Sequence, residues 1–569
     1  MKNKKAVIAI VALFLLLSCL FAACRKKGTE PVVVTDENGV AVTDEHGEFI
    51  TIVPETSIVT VTDGNGNVVT NENGETETSI YYKPQQVVIP VTDYNHEAVT
   101  DENGEVKTTV VWFPTNPTTT VIETVPVTDN KGNEVTDDNG SVVTETTIIS
   151  AANESYSKTM GGSGSDNALS VVPAADGGTF AAITGTSRDG MFESVSGTKL
   201  IATAICKYSR TGDLLWTTAF GGNKGVNANK IIGTKDGGVI IVGETKSSDF
   251  VSVHGKEYDA FIIKLDKNGK EEFRKVWGGT SNESFYGVGE LPDGSIIAAG
   301  FAYSQDGDVE SLKIPFGESR AVIIKYSAKG DVQKALAFGV FGDYFTDLAV
   351  AQNGDIFAVA SLSSDASKEQ YGNKGYADAG IFKFKSDLSV VFARSFGGSK
   401  AEYFPSICAT NDGGCIIAGA SSSADGDLQD IGNKGGKDAV IAKFTGAGKT
   451  VFVSSFVGAK DDNFSGVAVT AQGYIIAAGT SESGTRDFRT IGNKGGKDAF
   501  VVRFNANGSL QSAMGLGGSG NDSSSAICFT SGGQTIITGT TSSTDGDFSN
   551  MKPASDGKNN IAFIRTVTF

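Results

Sequence analysis

Six acidic residues recur along the carboxyl-terminal part of this 569-residue chain, each between a glycine-rich stretch and a short apolar run. Carboxylates gathered around one opening bind hard cations such as calcium, and they raise one another's pKa values. The same recurrence is expected of an acid that closes a loop by accepting hydrogen bonds, and the sequence leaves both interpretations open. The six candidate ligand-binding residues are Asp166, Glu283, Asp343, Glu402, Asp462 and Asp522.

A second candidate set combines glycine and lysine in the motif GNKGGKDA, which carries Lys437 and Lys497. Glycine-rich backbone amides beside a lysine can bind an anion or a sugar carboxylate. Glycines that supply positive φ to a loop would leave the same pattern. A DGD triplet also recurs in alternate repeats, at residues 306–308, 425–427 and 545–547. We name both lysines as candidate ligand-binding residues and keep loop geometry as the alternative.

The sequence indicates no catalytic residue. His46, His96 and His254 are its only histidines, which argues against a multi-histidine metal site. No nucleophile-elbow motif accompanies His254, so a Ser-His-acid triad is not indicated. Paired carboxylates for glycoside hydrolysis stay open, because acids are abundant. The formal net charge of −18 argues against nucleic acid as a partner.

Strands of a long repeat must position these residues. Glycine pairs or degenerate copies of them mark seven repeats, at positions 161, 221, 278, 339, 397, 457 and 517. Each repeat holds four short β-type runs, which in the fifth repeat are residues 404–409, 415–420, 439–444 and 450–456. Four strands repeated seven times predict an all-β, seven-bladed propeller over residues 151–569. Stacking the blades buries faces that a single sheet would expose.

The two ends of this array predict a closed ring. The last repeat stops at Phe569 after its third strand, and its fourth strand is missing. Residues 155–160 precede the first glycine pair and match the fourth-strand position. We therefore expect this amino-terminal strand to complete blade 7 and to cover an edge that would otherwise promote aggregation.

Strand direction predicts that the candidate residues share one face. Strands of a blade alternate in direction, so the loops that enter each first strand lie beside the loops that join strands two and three. The six acids and both lysines belong to these loops, whereas tight turns occupy the other face. Functional residues concentrate on loops held by a rigid scaffold. By resemblance to propellers generally, we expect this to be the ligand face, with first strands lining a central channel.

The amino terminus carries a targeting pattern. Basic residues precede an apolar run over residues 6–23, and Cys24 follows directly. This resembles a bacterial lipoprotein signal peptide over residues 1–23, which implies cleavage before Cys24 and lipid attachment to its thiol. Cys19 is the alternative lipidation site, and an uncleaved signal anchor is the alternative to lipidation. Each alternative places the rest of the chain outside the cytoplasmic membrane.

Residues 24–150 predict a stalk between this anchor and the propeller. Residues 30–150 hold 22 acidic and 3 basic residues, so nearly all of the net negative charge lies there. Four repeat units, each with two similar turns, begin at Val34, Val61, Val91 and Val127. Their Asn-Gly pairs between Val and Thr runs predict hairpins. Like charges along a thin β-rich strip repel one another, so we expect an extended shape.

The repeat itself resembles a known type. A GGSGSDN stretch, a mid-repeat DGG and the run GNKGGKDAFVVRFNANGSLQ at residues 492–511 resemble the bacterial SBBP-type β-propeller repeat of surface lipoproteins. The resemblance covers about residues 155–569. It implies the propeller fold and says little about activity, because propellers host many functions.

Anchor, acidic spacer and closed array together predict a lipid-anchored, monomeric binding module whose partner is an extracellular protein or a glycan. One alternative is an extracellular polysaccharide hydrolase or lyase that uses acids of the loop face. That enzyme would need a deep pocket with two acids that do not follow the repeat. The other alternative is a structural envelope protein. The sequence requires no cofactor, and calcium is the only candidate.

Overall fold

The computed structural model describes two parts of the chain. These are eight short strands between residues 32 and 150, and residues 155–569 apart from 196, 198–199, 364–365, 432, 471 and 552–558. The chain divides into the units Met1–Asn153 and Glu154–Phe569. The predicted signal peptide, Cys19 and Cys24 lie outside the described residues.

The described strands of the amino-terminal unit form four two-stranded antiparallel sheets. The paired strands are Val32–Val33 with Thr51–Ile52, Thr56–Thr60 with Thr78–Tyr82, Gln85–Pro90 with Thr108–Phe113, and Thr120–Pro126 with Thr144–Ser150. Each pair flanks one of the four acidic repeat units, and the four connecting segments are equal in length. Thr- and Val-rich segments thus form the strands, as their β propensity favours. The extended stalk stays a prediction.

Seven four-stranded antiparallel sheets form the carboxyl-terminal unit, and each sheet is one blade of a propeller. We number the blades by their innermost strands, which are Asp166–Pro173, Val226–Gly233, Glu283–Glu290, Tyr344–Val350, Glu402–Ala409, Asp462–Val469 and Asp522–Phe529. The second strands are Thr179–Gly185, Val239–Thr245, Ile296–Ala302, Ile356–Leu362, Cys415–Ser421, Ile475–Ser481 and Thr535–Thr541. The third strands are Ala202–Tyr208, Asp259–Leu265, Arg320–Tyr326, Asp378–Phe384, Asp438–Phe444, Asp498–Phe504 and Ile561–Val567. The outermost strands are Leu214–Phe220, Glu271–Trp277, Val332–Phe338, Val390–Phe396, Thr450–Phe456, Leu510–Leu516 and, for blade 7, Ser157–Met160.

The amino-terminal strand closes the ring as the sequence predicts. Ser157–Met160 pairs antiparallel with Ile561–Val567, and Met160 lies opposite Ala562. The Thr566 N–H donates to the Tyr156 carbonyl at 2.9 Å, and the Tyr156 N–H donates to Thr566 Oγ1 at 2.8 Å. Seven blades and their closure are therefore confirmed.

The core lies between the blades rather than within one sheet. Second and third strands are buried along almost their whole length, because both of their faces pack against neighbouring blades. Phenylalanines of the innermost strands fill the junctions. Phe345 packs edge-on against Phe382 of the same blade, with ring centroids 5.2 Å apart, and both rings share a buried cluster with Ile297 and Ile323 of blade 3. Such edge-to-face pairs add to the burial of apolar area.

Two local features shape the loop-bearing face. The pairing register of the innermost strand shifts in every blade, which indicates a β-bulge near its start. Bulges redirect side chains, and the displaced residues include Tyr286, Pro405, Ser465 and Ser525. Short helices follow second strands: 3₁₀ turns at Gly190–Val195, Gly307–Leu312, Gly426–Leu428, Arg486–Arg489 and Gly546–Phe548, and an α-helical turn at Ala366–Tyr371. Among the described residues, none of the helices has the length and apolar character needed to cross a membrane.

Candidate ligand-binding site

The glycine-pair loops are held by acidic and hydroxyl side chains of the blade that they enter. In blade 5, the N–H groups of four consecutive residues, 397–400, each donate to a side-chain oxygen. Their acceptors, in chain order, are Asp427 Oδ2 at 3.0 Å, Glu402 Oε2 at 2.9 Å, Asp425 Oδ1 at 2.8 Å and Ser423 Oγ at 2.9 Å. Blades 3 and 7 repeat this arrangement. The DGD triplet therefore satisfies backbone donors that the turn leaves unpaired.

The six acids predicted from the sequence are at most 2% exposed. Each accepts two or more hydrogen bonds from its own blade, chiefly from the glycine loop and from hydroxyl groups that follow the second strand. This geometry supports the loop-closing interpretation that the sequence left open. Ligand contact by Asp166, Glu283, Asp343, Glu402, Asp462 and Asp522 stays a prediction.

A second set of buried carboxylates starts the third strands. A Cβ atom built on Gly278 would lie 2.7 Å from both Asp259 Oδ1 and Glu283 Oε2, so only glycine fits between these acids. Four such aspartates have a buried Oδ1 without a hydrogen-bond donor: Asp259, Asp378, Asp438 and Asp498. Burial raises the pKa of each, in Asp378 to about 6. Among the described residues, no group of three or more His, Cys, Asp or Glu side chains is arranged to hold a metal ion. Calcium binding therefore stays a prediction, and no site is assigned to it.

The lysine of the GNK motif joins neighbouring blades. Lys494 of blade 6 places Nζ 2.7 Å from Asp547 of blade 7, and Lys374 makes the equivalent ion pair with Asp427 between blades 4 and 5. In blade 2, His254 Nε2 lies 3.4 Å from Asp308 of blade 3. Lys374 and Lys494 already have carboxylate partners, which supports a role in loop geometry over anion binding at the lysine of the GNK triplet.

A cavity of about 520 Å³ opens between blades 5 and 6, where their innermost strands begin. We call it the mouth pocket. Four of the eight predicted residues line it, namely Glu402, Asp462, Lys437 and Lys497. The other four acids belong to other blades, so the structure does not gather them here. Pro405, Ser465 and Ser525, which the bulges displace, form another part of the lining.

Two further acids of the mouth pocket depart from the repeat. Asp461 immediately precedes the recurring acid of blade 6, and the equivalent residues of blades 5 and 7 are Ala401 and Asn521. Glu482 immediately follows the second strand, where blades 5 and 7 have Ser422 and Ser542. Glu482 Oε1 lies 3.1 Å from Lys497 Nζ, and Asp461 Oδ1 accepts the Lys437 N–H at 2.9 Å. The sequence analysis missed both acids because it selected residues that recur from repeat to repeat. Comparison of the repeats position by position would have found them.

Tyrosines also break the pseudo-symmetry at the channel opening. Tyr344 and Tyr403 directly follow the recurring acid in blades 4 and 5, a position that holds asparagine or serine in the other blades. Tyr286 occupies the bulge of blade 3. The Tyr403 side chain borders the mouth pocket and is 50% exposed. Burial of its hydroxyl end, beside the other two tyrosines, raises the pKa of Tyr403 to about 12. Sequence analysis had not singled out these residues.

Asp462 should make stability depend on pH. Burial raises its pKa to about 7, although the Ser481 and Ser483 hydroxyls donate to it; nearby Asp438 also raises it. The native state then binds a proton that the unfolded chain releases, so the free energy of unfolding falls as pH rises from about 4 to about 7. The fall is about 1.4 kcal/mol for each unit by which the pKa is raised.

Urea unfolding at pH 5, 6, 7 and 8 measures this slope. We expect Asp462→Asn, which mimics the neutral acid, to flatten it. Glu310→Gln, an exposed carboxylate of blade 3, is the control and should leave the slope unchanged. An Asp462→Asn slope equal to that of the parent protein would contradict the assignment.

No family model matches the chain, and neither does any curated protein. Solved structures that it resembles include hydrazine synthase of Kuenenia stuttgartiensis, at 10% identity and a TM-score of 0.40, over 67% of this chain and 93% of that one. The Pan2 WD40 domain of Neurospora crassa matches at 10% identity and a TM-score of 0.36, over 72% and 98%. YCF48 bound to D1 peptide matches at 11% identity and a TM-score of 0.36, over 74% and 98%. Likenesses at this level carry no argument about function, and the seven-bladed propeller rests on the strand pairing described above.

Proposed function

We propose that this chain is a lipid-anchored, extracytoplasmic binding module that takes its ligand at the mouth pocket. The observation that carries the proposal is the pocket itself, which opens where two acids and one tyrosine, Asp461, Glu482 and Tyr403, replace the residues that most other blades have. Scaffolding residues recur from blade to blade because each blade needs the same turns. Asp461 Oδ1 accepts the loop N–H that Asn282 and Asn521 accept in blades 3 and 7, so only its charge is new there. Glu482 and Tyr403 replace the residues that most other blades have, and departures of this kind are expected where a ligand binds.

The location belongs to the same proposal. It draws on the resemblance to a lipoprotein signal that ends before Cys24 and on the resemblance of the repeat to the SBBP type of surface lipoproteins. A lipid on Cys24 would hold the propeller at the membrane, with the acidic stalk as a spacer.

Binding of the full chain to envelope polysaccharides and purified envelope proteins tests the proposal. We expect Lys497→Ala to weaken the affinity for the ligand at least tenfold, because that lysine lines the pocket and pairs with Glu482. Lys449→Ala is the matched control: this exposed lysine belongs to the turn after the third strand of blade 5 and does not line the pocket. Equal loss in both variants, or no binding to any member of either panel, would contradict the proposal.

A second candidate function is polysaccharide hydrolysis. It is favoured by one observation, that Asp461 and Glu482 are a pair of acids outside the repeat and in the same pocket. Glycoside hydrolysis uses two carboxyl groups, one of them as an acid. If the protein releases shortened polysaccharide fragments in the binding experiment above, and the Glu482→Gln variant releases none, hydrolysis is the function instead.

A further inference from the structure

A second, smaller cavity lies on the same face between blades 2 and 3. It encloses about 300 Å³ and is lined by Glu244, Tyr258, Asn282, Phe301, Tyr303 and Ser319. We call it the side pocket. Three aromatic rings thus share its wall with a carboxylate, an amide and a hydroxyl group. The mouth pocket has the same mixture, with the Tyr403 ring beside charged and hydroxyl side chains.

A row of aromatic rings runs from the side pocket toward the mouth pocket. Phe301 of the side pocket stacks on Tyr286, with ring centroids 6.1 Å apart and planes 23° apart. Tyr286 in turn lies 6.0 Å from Tyr344 of blade 4. Tyr403 of blade 5 continues the row at the register position of Tyr344 and borders the mouth pocket. We call these four residues the aromatic track.

The track differs from the aromatic residues of the core in its exposure. Phe285, Phe345 and Phe404 are at most 2% exposed and pack between blades. The track residues are only partly buried, and Tyr403 is half exposed. The track thus forms a row of partly accessible rings with polar groups at both ends. They offer flat apolar faces to a ligand that also carries hydroxyl groups.

Resting on the proposed function, we infer that the ligand is a linear oligosaccharide that lies along the aromatic track and reaches into both pockets. A sugar ring has a face of C–H bonds, which packs on the negative face of an aromatic ring. Its edge carries hydroxyl groups, which donate to carboxylates and accept from lysine. Asp461, Glu482, Lys437 and Lys497 supply such partners at one end, and Glu244 and Asn282 supply them at the other.

A protein partner fits these pockets less well. Its apolar anchors would have to exclude water from Glu244 at one end and from the Glu482–Lys497 ion pair at the other, and removing charged groups from water is costly. Sugar hydroxyls can replace that water without loss of hydrogen bonds. A chain of linked sugars also explains why Glu482 of the mouth pocket and the tyrosines of the track depart from the repeat together.

Calorimetric titration of the full chain with linear oligosaccharides tests the inference. The probes are cello-, chito- and oligogalacturonate series of two to eight residues. We expect at least one series to bind, with an affinity that rises at least tenfold from dimer to hexamer because longer chains cover more of the track. Tyr403→Ala and Tyr344→Ala should each weaken hexamer binding at least tenfold, whereas Tyr403→Phe, which keeps the ring, should stay within threefold.

Tyr376→Ala is the matched control, because this tyrosine of blade 4 is 82% exposed and lines neither pocket. It should leave hexamer binding unchanged, and thermal melts should show that every variant is folded. The inference is overturned if no series binds, if affinity does not depend on chain length, or if Tyr403→Phe loses as much as Tyr403→Ala. If no sugar binds and Lys497→Ala still weakens the binding of an envelope protein, the inference fails and the proposed function stands.

Discussion

A chain shortened to begin at Gly161 should lose much of the stability of the propeller, whereas a chain that begins at residue 151 should keep it. The shorter chain lacks the outermost strand of blade 7, so the third strand Ile561–Val567 becomes an exposed edge. It also loses the buried Tyr156 and Met160 side chains, which are 7% and 3% exposed. Losing a large buried side chain costs about 2–5 kcal/mol, and an exposed strand edge promotes association.

Differential scanning calorimetry and size-exclusion chromatography of the two chains measure this effect. We expect the melting temperature to fall by roughly 5–10 °C, at about 1 °C per kcal/mol because the entropy of unfolding grows with the length of the domain, and the shorter chain to form oligomers. Tyr156→Ala in the longer chain should reproduce part of the fall. Equal melting temperatures and a monomeric elution of both chains would show that the strand does not close the ring.

Lys230→Met should destabilise the propeller by about 3–5 kcal/mol, the cost of leaving a buried charge without its partner. Lys230 extends from the innermost strand of blade 2 to Asp347 of blade 4, with Nζ 2.8 Å from Oδ2. The Asp347 side chain is only 1% exposed, and its Oδ2 also accepts the N–H of Ile407 in blade 5 at 3.2 Å. This ion pair therefore links three blades across the channel.

The loss in Lys230→Met should depend on pH in a definite direction. Burial raises the pKa of Asp347, and the charge of Lys230 opposes that rise. Without the lysine the native state holds a proton more tightly than the unfolded chain does, so the free energy of unfolding falls as pH rises. Urea unfolding should therefore show a larger loss at pH 8 than at pH 5.

The double variant Lys230→Met/Asp347→Leu removes both charges and should recover part of the stability, because no unpaired charge stays buried. Lys256→Met, an exposed lysine of the same blade, is the control and should change the free energy of unfolding by less than about 0.5 kcal/mol. If Lys230→Met is as stable as Lys256→Met at pH 8, the proposed role of the ion pair is refuted.

Repetition made most of the fold predictable. The fifth repeat illustrates this, because its four predicted strands differ from the observed ones by at most two residues at an end. The acid at the start of six of the seven innermost strands was also found, together with its loop-closing alternative. A residue that recurs in most blades gives a repeated signal in the sequence, because turns need similar residues wherever they occur. Residues that act once, such as Glu482 and Tyr403, leave no such signal.

Sequence by itself determined the number of blades, the strand that closes them and the face on which the loops gather, because these follow from local patterns and from chain direction. Tertiary structure alone decided which single residues meet. Lys230 and Asp347 are 117 residues apart in the chain, and a repeat pattern cannot show that a lysine of one blade reaches an aspartate two blades away. The same holds for the mouth pocket and the aromatic track: bulges and ring closure bring together side chains from several blades, and only the closed ring fixes their distances.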